Sequence, residues 1–279
     1  MSLDNLPTLM ETLKIHGLWA NKSLGQHFLL DMNITDKIAR LAAPLDGTNV
    51  AEIGPGPGGL TRALIQNKAN VLAIEMDERF LPPLDDLARA TGQLRVLNAN
   101  ALKVDIAKEF GSTQQIKIIA NLPYNVGTKM LINWLTSSPL FWSQAVLMFQ
   151  KEVAERVVAM PGDKAYGRLA ILAQSVCTAH IAFDVLAKDF TPPPKVDSAV
   201  IVLDPLSEEK RFPDLKLLGD VTMAAFGQRR KMLRASLKSI AKKYETTPIE
   251  WCEACGIDPM ARPETLGVSE FQNLTQKLL

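Results

Sequence analysis

The unbroken unit from Val50 to Glu75 restricts the fold of this chain more than any other stretch. Val50-Ala51-Glu52-Ile53 reads as a short buried strand, Gly54-Pro55-Gly56-Pro57-Gly58-Gly59 as a glycine turn, and Leu60 to Ile65 as the start of a helix. Val71-Leu72-Ala73-Ile74 then forms a second strand that ends at Glu75. A strand, a glycine turn, a helix and a second strand make the repeating unit of a parallel sheet. An acidic side chain about 20 residues past the first glycine is placed to meet a ribose diol, which implies a nucleoside-containing cofactor.

Gly54, Gly56 and Gly59 also satisfy the dinucleotide fingerprint, so spacing alone leaves a nicotinamide cofactor and S-adenosylmethionine (SAM) both open. The prolines bear on the choice. A diphosphate has to be cradled by backbone N–H groups, and Pro55 and Pro57 have none, so a cofactor without phosphates fits this loop better.

A second motif follows the apolar run Ile116 to Ala120. Asn121-Leu122-Pro123-Tyr124 is suited to holding a planar amine at the end of a strand. Asparagine offers a carbonyl acceptor, proline keeps the turn extended, and tyrosine supplies an aromatic face for a base. An exocyclic amino group of adenine suits such a site. The same four residues are common in ordinary strand-ending turns, so the tetrapeptide alone does not decide.

Composition excludes several classes. No apolar run is long enough to span a bilayer, and an N-terminus with Asp4 and Glu11 and no early arginine argues against an export signal or transit peptide. A cytoplasmic protein is expected. The net charge of +1 argues against a protein that coats nucleic acid indiscriminately. Cys252-x-x-Cys255 has no second pair and no nearby histidine, so it reads as two helix-borne thiols and no metal is expected. His16 and His180 have no partner motif, and Cys177 stands alone.

Alternating strands and helices run from Asn33 to about Leu203, preceded by a short helix from Leu6 to Ile15. The strands His180 to Asp189 and Val196 to Leu203 have no room between them for a crossover helix, so they are expected to be antiparallel. Asp204 to Pro213 is a polar linker, and the remainder reads as helical. From Val221 to Lys243 the spacing predicts one helical run. Phe226, Leu233, Leu237 and Ile240 form its apolar stripe, and Arg230, Arg234, Lys238 and Lys242 recur beside it every fourth residue. The expected division is residues 1–21 as helix and linker, 22–204 as a cofactor-binding domain, and 205–279 as a helical domain.

These segments together resemble the bacterial KsgA (RsmA) family of SAM-dependent rRNA adenine N6,N6-dimethyltransferases. The resemblance rests on Lys22-Ser23-Leu24-Gly25-Gln26-His27-Phe28-Leu29, the Glu52 to Gly59 loop, Glu75, Asn121 to Tyr124 and Gln150 to Arg156. It extends through Tyr166 to Leu169, Phe190 to Val200 and Phe226-Gly227-Gln228-Arg229-Arg230-Lys231. It implies a Rossmann-like class I methyltransferase fold, an α/β sheet mostly parallel with an antiparallel strand, plus a small helical C-terminal domain. Cofactor contacts would fall on Gln26, His27, Phe28, Leu29, Glu52, Gly54, Gly56, Gly58, Glu75, Met76, Asn100, Ala101 and Asn121. The target base would meet Asn121, Leu122, Pro123, Tyr124 and Phe190, although a phenylalanine before a triple proline is also a good packing plug. RNA contacts would fall on Arg229, Arg230, Lys231, Arg234 and Lys238. Asn100 stands where the family usually carries aspartate, and His27 where relatives often have asparagine.

The activity so implied is dimethylation of N6 on two adjacent adenosines near the 3′ end of small-subunit (16S) rRNA, by a monomer with no membrane partner, during ribosome biogenesis. The alternatives are a large-subunit rRNA methyltransferase of the antibiotic-resistance type, an assembly factor that methylates weakly, and a nicotinamide-dependent dehydrogenase.

Overall fold

The computed structural model describes residues 6–20, 26–111, 115–228 and 230–279. Lys22 to Gly25 and Arg229, named above, lie outside the described residues. Helix α1 (Leu9–Ile15) begins later than Leu6 because Thr8 caps it: Thr8 Oγ1 accepts from Glu11 N–H at 3.3 Å and the Glu11 carboxylate accepts from Thr8 N–H at 2.8 Å. Then follow β1 (Phe28–Leu29), α2 (Met32–Leu41), β2 (Asn49–Ile53), α3 (Gly59–Gln66), β3 (Asn70–Glu75), α4 (Leu81–Thr91), β4 (Leu94–Asn98) and α5 (Ile106–Glu109). The chain continues through β5 (Ile116–Asn121), α6 (Gly127–Leu135), β6 (Trp142–Gln150), α7 (Lys151–Val158), α8 (Arg168–Gln174), β7 (Cys177–Val185), β8 (Phe190–Thr191) and β9 (Ser198–Pro205). Helices α9 (Leu215–Phe226), α10 (Leu233–Ser236), α11 (Lys238–Lys243), α12 (Pro248–Ala254) and α13 (Val268–Gln276) complete it.

The main sheet has the order β4-β3-β2-β5-β6-β9-β7. Strands β4, β3, β2, β5 and β6 pair in parallel, with Ile53 opposite Ile74 and Asn121 opposite Met148, whereas β9 runs antiparallel to β6. The expected mixed sheet is therefore present. Its central strands are buried on both faces, as their unbroken apolar runs require. Strand β7 stops at Val185 rather than Asp189, since residues 187–189 turn and Asp189 accepts the Leu186 N–H.

The chain divides into two compact units, one of Met1–Met130, Ser138–Ala154 and His180–Asp204, the other of Leu131–Ser137, Glu155–Ala179 and Pro205–Leu279. The second unit corrects one expectation, for the basic run is not a single helix. Helix α9 stops at Gly227, Met232 is extended, and α10 starts afresh with the N–H groups of Leu233 and Arg234 given to the carbonyls of Ala261 and Pro259. Leu233, Leu237 and Ile240 are buried as the stripe requires, and the ring of Phe226 packs on Tyr166 and Phe271.

Candidate functional site

Strands β3 and β4 extend the sheet on one side of β2 and strands β5 and β6 on the other, so the order reverses between β2 and β5. A crevice opens at the carboxyl ends of strands at such a point. The glycine loop follows β2, Glu75 ends β3, and Asn121 ends β5 and leads into Leu122 to Tyr124; all of them line one pocket. The two motifs touch. A Cβ added at Gly54 would lie 3.6 Å from Pro123 Cγ.

Gly54, Gly56 and Gly58 have φ of +65°, +52° and +88°, a left-handed backbone that side-chain-bearing residues rarely adopt. The N–H groups of the three are already engaged: Gly54 donates to Ile74 O at 3.0 Å, Gly56 to Glu75 Oε2 at 3.1 Å and Gly58 to Pro55 O at 3.0 Å. With Pro55 and Pro57 lacking N–H groups altogether, the turn has little left to offer a diphosphate. This removes the physical basis for the dehydrogenase reading.

Three carboxyl-bearing residues line the pocket, Glu52, Glu75 and Asp77. Glu75 accepts from the N–H groups of Gly56, Met76 and Asp77, which hold it at the end of β3, while burial pushes its pKa up. Glu52 is only 1 % exposed, and neither its Oε2 nor Thr61 Oγ1 completes a hydrogen bond. Burial pushes Glu52 up to about 8; Thr61 beside it pulls the other way, and the neighbouring Glu75 adds to the rise. A buried carboxyl with Oε2 left open invites a cationic ligand group.

Residues 26–29 lie against the glycine loop. A Cβ at Gly56 would be 3.6 Å from the Phe28 ring, and one at Gly59 would be 3.1 Å from Leu29 O. Gln26 is held by Asp77, whose Oδ2 accepts from its Nε2 at 2.8 Å. Asp77 also binds Arg79, the main cause of its pKa falling to about 2, with Gln26 contributing. Met76, Asn100 and Ala101 line the pocket, Met76 with 61 % of its surface exposed. The Asn100 Oδ1 accepts the Leu102 N–H at 3.0 Å, capping the short turn after β4.

At the end of β5 the Leu122 N–H is given to Met148 O at 3.3 Å. Among the described residues, the Asn121 side-chain amide and the Leu122 carbonyl have no hydrogen-bond partner. Tyr124 is half-buried, and burial raises its pKa, with the hydrogen bond between its hydroxyl and that of Ser198 opposing the rise. Phe190 departs from the expected base-stacking role. It is 2 % exposed, sits in the core with Leu29, Val200 and Val202, and does not line the pocket, the place of a packing plug.

In the second unit Arg230, Lys231, Arg234 and Lys238 are all exposed, Arg230 and Lys231 on the turn after α9 and the other two on α10 and α11. Burial pushes the Cys252 thiol up to about 11 and raises Cys255 as well, so both stay protonated. No group of three or more metal-ligating side chains occurs among the described residues, and no helix among them is long and apolar enough to cross a membrane.

The family model described as ribosomal RNA adenine dimethylase matches residues 17–276. The chain belongs to that family. It is 51 % identical to ribosomal RNA small subunit methyltransferase A of Maricaulis maris over 99 % of this chain and 96 % of that protein. It is 52 % identical to the protein of the same name from Ruegeria sp., covering 99 % and 98 % of the two chains. Among solved structures, a dimethyladenosine transferase from Plasmodium falciparum superposes with a TM-score of 0.73 at 27 % identity, covering 89 % of this chain and 96 % of that one. The fold is that of the class I methyltransferases.

Sequence reasoning missed some residues of this dimethylase site. Ser198 is fully buried with its hydroxyl 2.8 Å from the Tyr124 hydroxyl, and Asp77 organises Gln26. A serine beginning a strand carries no signal that its partner is a tyrosine distant in sequence. Asp77 lies just past Glu75, and its proximity could have been used.

Proposed function

We propose that this protein transfers methyl groups from SAM to N6 of two adjacent adenosines near the 3′ end of small-subunit (16S) rRNA, in the cytoplasm and as a monomer. One observation carries the reading: an unpartnered Asn121 amide and an unpartnered Leu122 carbonyl stand at the end of β5, in one pocket with the glycine loop and Tyr124.

The pocket fits SAM. Its glycine turn has no spare donors for phosphate, Glu75 ends β3 where a ribose diol would lie, and the buried Glu52 carboxyl can face a cationic amino group. Bound there, SAM supplies an electrophilic methyl group on a sulfonium. Gly54 and Gly56 would let the backbone approach the methionine portion, Gln26, Phe28 and Leu29 would cover it, and Met76, Asn100 and Ala101 would border the adenine.

Adenine N6 is a weak nucleophile because its lone pair is delocalised into the ring. Asn121 Oδ1 and Leu122 O would accept its two hydrogens and stabilise the positive charge that develops on nitrogen. Tyr124 would stack on the base once it is swung out of the RNA. No base is needed beforehand, because the methylated nitrogen is acidic enough to release its proton to water. Arg230, Lys231, Arg234 and Lys238 would hold RNA phosphates, and Arg229 would join them by its place in the motif.

The test is incubation with methyl-labelled SAM and small ribosomal subunits from a strain lacking the modification. Label should enter small-subunit RNA and leave large subunits unlabelled. Labelling of large subunits alone would favour the resistance-type alternative, and binding to small subunits without labelling the assembly-factor reading.

A further inference from the structure

The tyrosine of the Asn121 to Tyr124 motif is held by a clamp that the proposed chemistry does not require. The imidazole of His27 lies over Tyr124, with ring centroids 5.7 Å apart and planes 27° from parallel. His27 Nδ1 is 2.7 Å from Pro192 O, and since a carbonyl oxygen only accepts, Nδ1 carries the proton and the imidazole is fixed. The two-residue ribbon of β1 and β8 sets this up. Phe28 pairs with Thr191 and Leu29 with Phe190, so the next positions along the ribbon, His27 and Pro192, fall opposite each other. The far end of Tyr124 is fixed as well, by the hydroxyl of the fully buried Ser198 at 2.8 Å.

A phenol ring has two faces, and His27 stacks, offset, against one of them. We propose that His27 is a positioning residue for methyl transfer: it clamps Tyr124 in the orientation that receives the target adenine and restricts the base to the opposite face. The inference rests on the reading of Tyr124 as the stacking platform. A ring already fixed at one face and at its hydroxyl loses little freedom when the base docks, so the geometry for transfer is set beforehand. Because His27 belongs to the segment lying against the glycine loop, the clamp also ties the cofactor side of the pocket to the base side. Its side chain thus serves the base, and the segment's contact with the cofactor falls to its neighbours.

The test compares His27→Ala, His27→Asn and His27→Phe in the full chain. It measures kcat and KM for unmodified small subunits and, separately, SAM affinity by calorimetry. Loss of one aromatic stack corresponds to about three- to tenfold. The alanine and asparagine variants are expected to lose that much in kcat/KM for subunits, with SAM affinity held within about twofold. His27→Phe, which keeps the ring and loses the Pro192 hydrogen bond, is expected to restore most of the loss. Ser198→Ala, which frees the other end of Tyr124 without touching the imidazole, should lower kcat/KM in the same way. Equal activity of all the His27 variants would overturn the proposal. So would a loss confined to SAM affinity, or a phenylalanine variant no better than alanine. A wild-type protein that fails to methylate subunits would instead overturn the reading of the site itself.

Discussion

Replacing Glu52 by glutamine should flatten the pH dependence of stability in the cofactor-free protein. In the unfolded chain this carboxyl ionises near its ordinary value of 4.5, whereas burial holds it protonated up to about 8 in the fold. Below the lower value both states carry the proton, and the stability associated with the neutral side chain is fully present. As the pH rises through the window the unfolded state gains by ionising and that stability drains away; above the upper value none is left. At 1.36 kcal/mol per pH unit, the loss reaches about 3 kcal/mol at pH 7 and about 4 kcal/mol at pH 8. Glu75 faces the same pocket and is raised too, so the readout is the difference between wild type and Glu52→Gln, not the wild-type curve alone. Urea unfolding of both proteins from pH 5 to 8 measures it. The offset between the curves absorbs any cost of burying the amide, and the wild type should lose about 3 kcal/mol or more relative to the variant across that range. Parallel curves would mean that Glu52 ionises in the fold as it does in the unfolded chain, and burial would then not hold its proton. Calorimetric titration with SAM at pH 7, in two buffers of different ionisation enthalpy, reads the same group from the other side. A cation beside Glu52 draws the proton off, so close to one proton should be released per cofactor bound.

Asn121→Ala should cut turnover by roughly a hundredfold or more while leaving SAM affinity nearly unchanged, since it removes a polar group preorganised for the transition state; an equally active variant in a steady-state methylation assay would remove the basis of the mechanism. Arg230→Glu with Arg234→Glu should weaken small-subunit binding and flatten its salt dependence without altering SAM binding, and unchanged filter-binding curves would reduce the basic surface to a solvated face. Phe190→Ala should cost about 3–5 kcal/mol of stability by leaving a cavity in the core, whereas a change in activity with stability intact would return Phe190 to a role at the base.

The parallel sheet was legible because Val50 to Glu75 couples a period-free apolar strand, a glycine turn and a helix in one short run. The local chemistry of that run leaves few alternatives. The pocket was legible for the same reason, since the fold brings strand ends together and the informative residues sit on those ends. What escaped was long-range or depended on burial. The break after Gly227 is invisible to helical spacing, because the apolar positions stay in phase across it and the carbonyls that receive the Leu233 and Arg234 N–H groups come from Pro259 and Ala261. Phe190 reads equally well as a stacking face or a plug, and only its position among Leu29, Val200 and Val202 separates the two. The hydroxyl pair of Tyr124 and Ser198 joins residues far apart in sequence, and no local pattern marks it.

Nucleoside analysis of the reaction product reads out which atom receives the methyl group. Small subunits lacking the modification are incubated with the protein and SAM, and their RNA is digested and separated by mass spectrometry. Membership of the adenine dimethylase family, with a site whose carbonyl acceptors hold N6, predicts N6,N6-dimethyladenosine, rising to two residues per subunit and formed roughly a hundredfold more slowly with Asn121→Ala. Methylation at a ring nitrogen or a ribose hydroxyl, or undiminished dimethyladenosine from the Asn121 variant, would contradict the account.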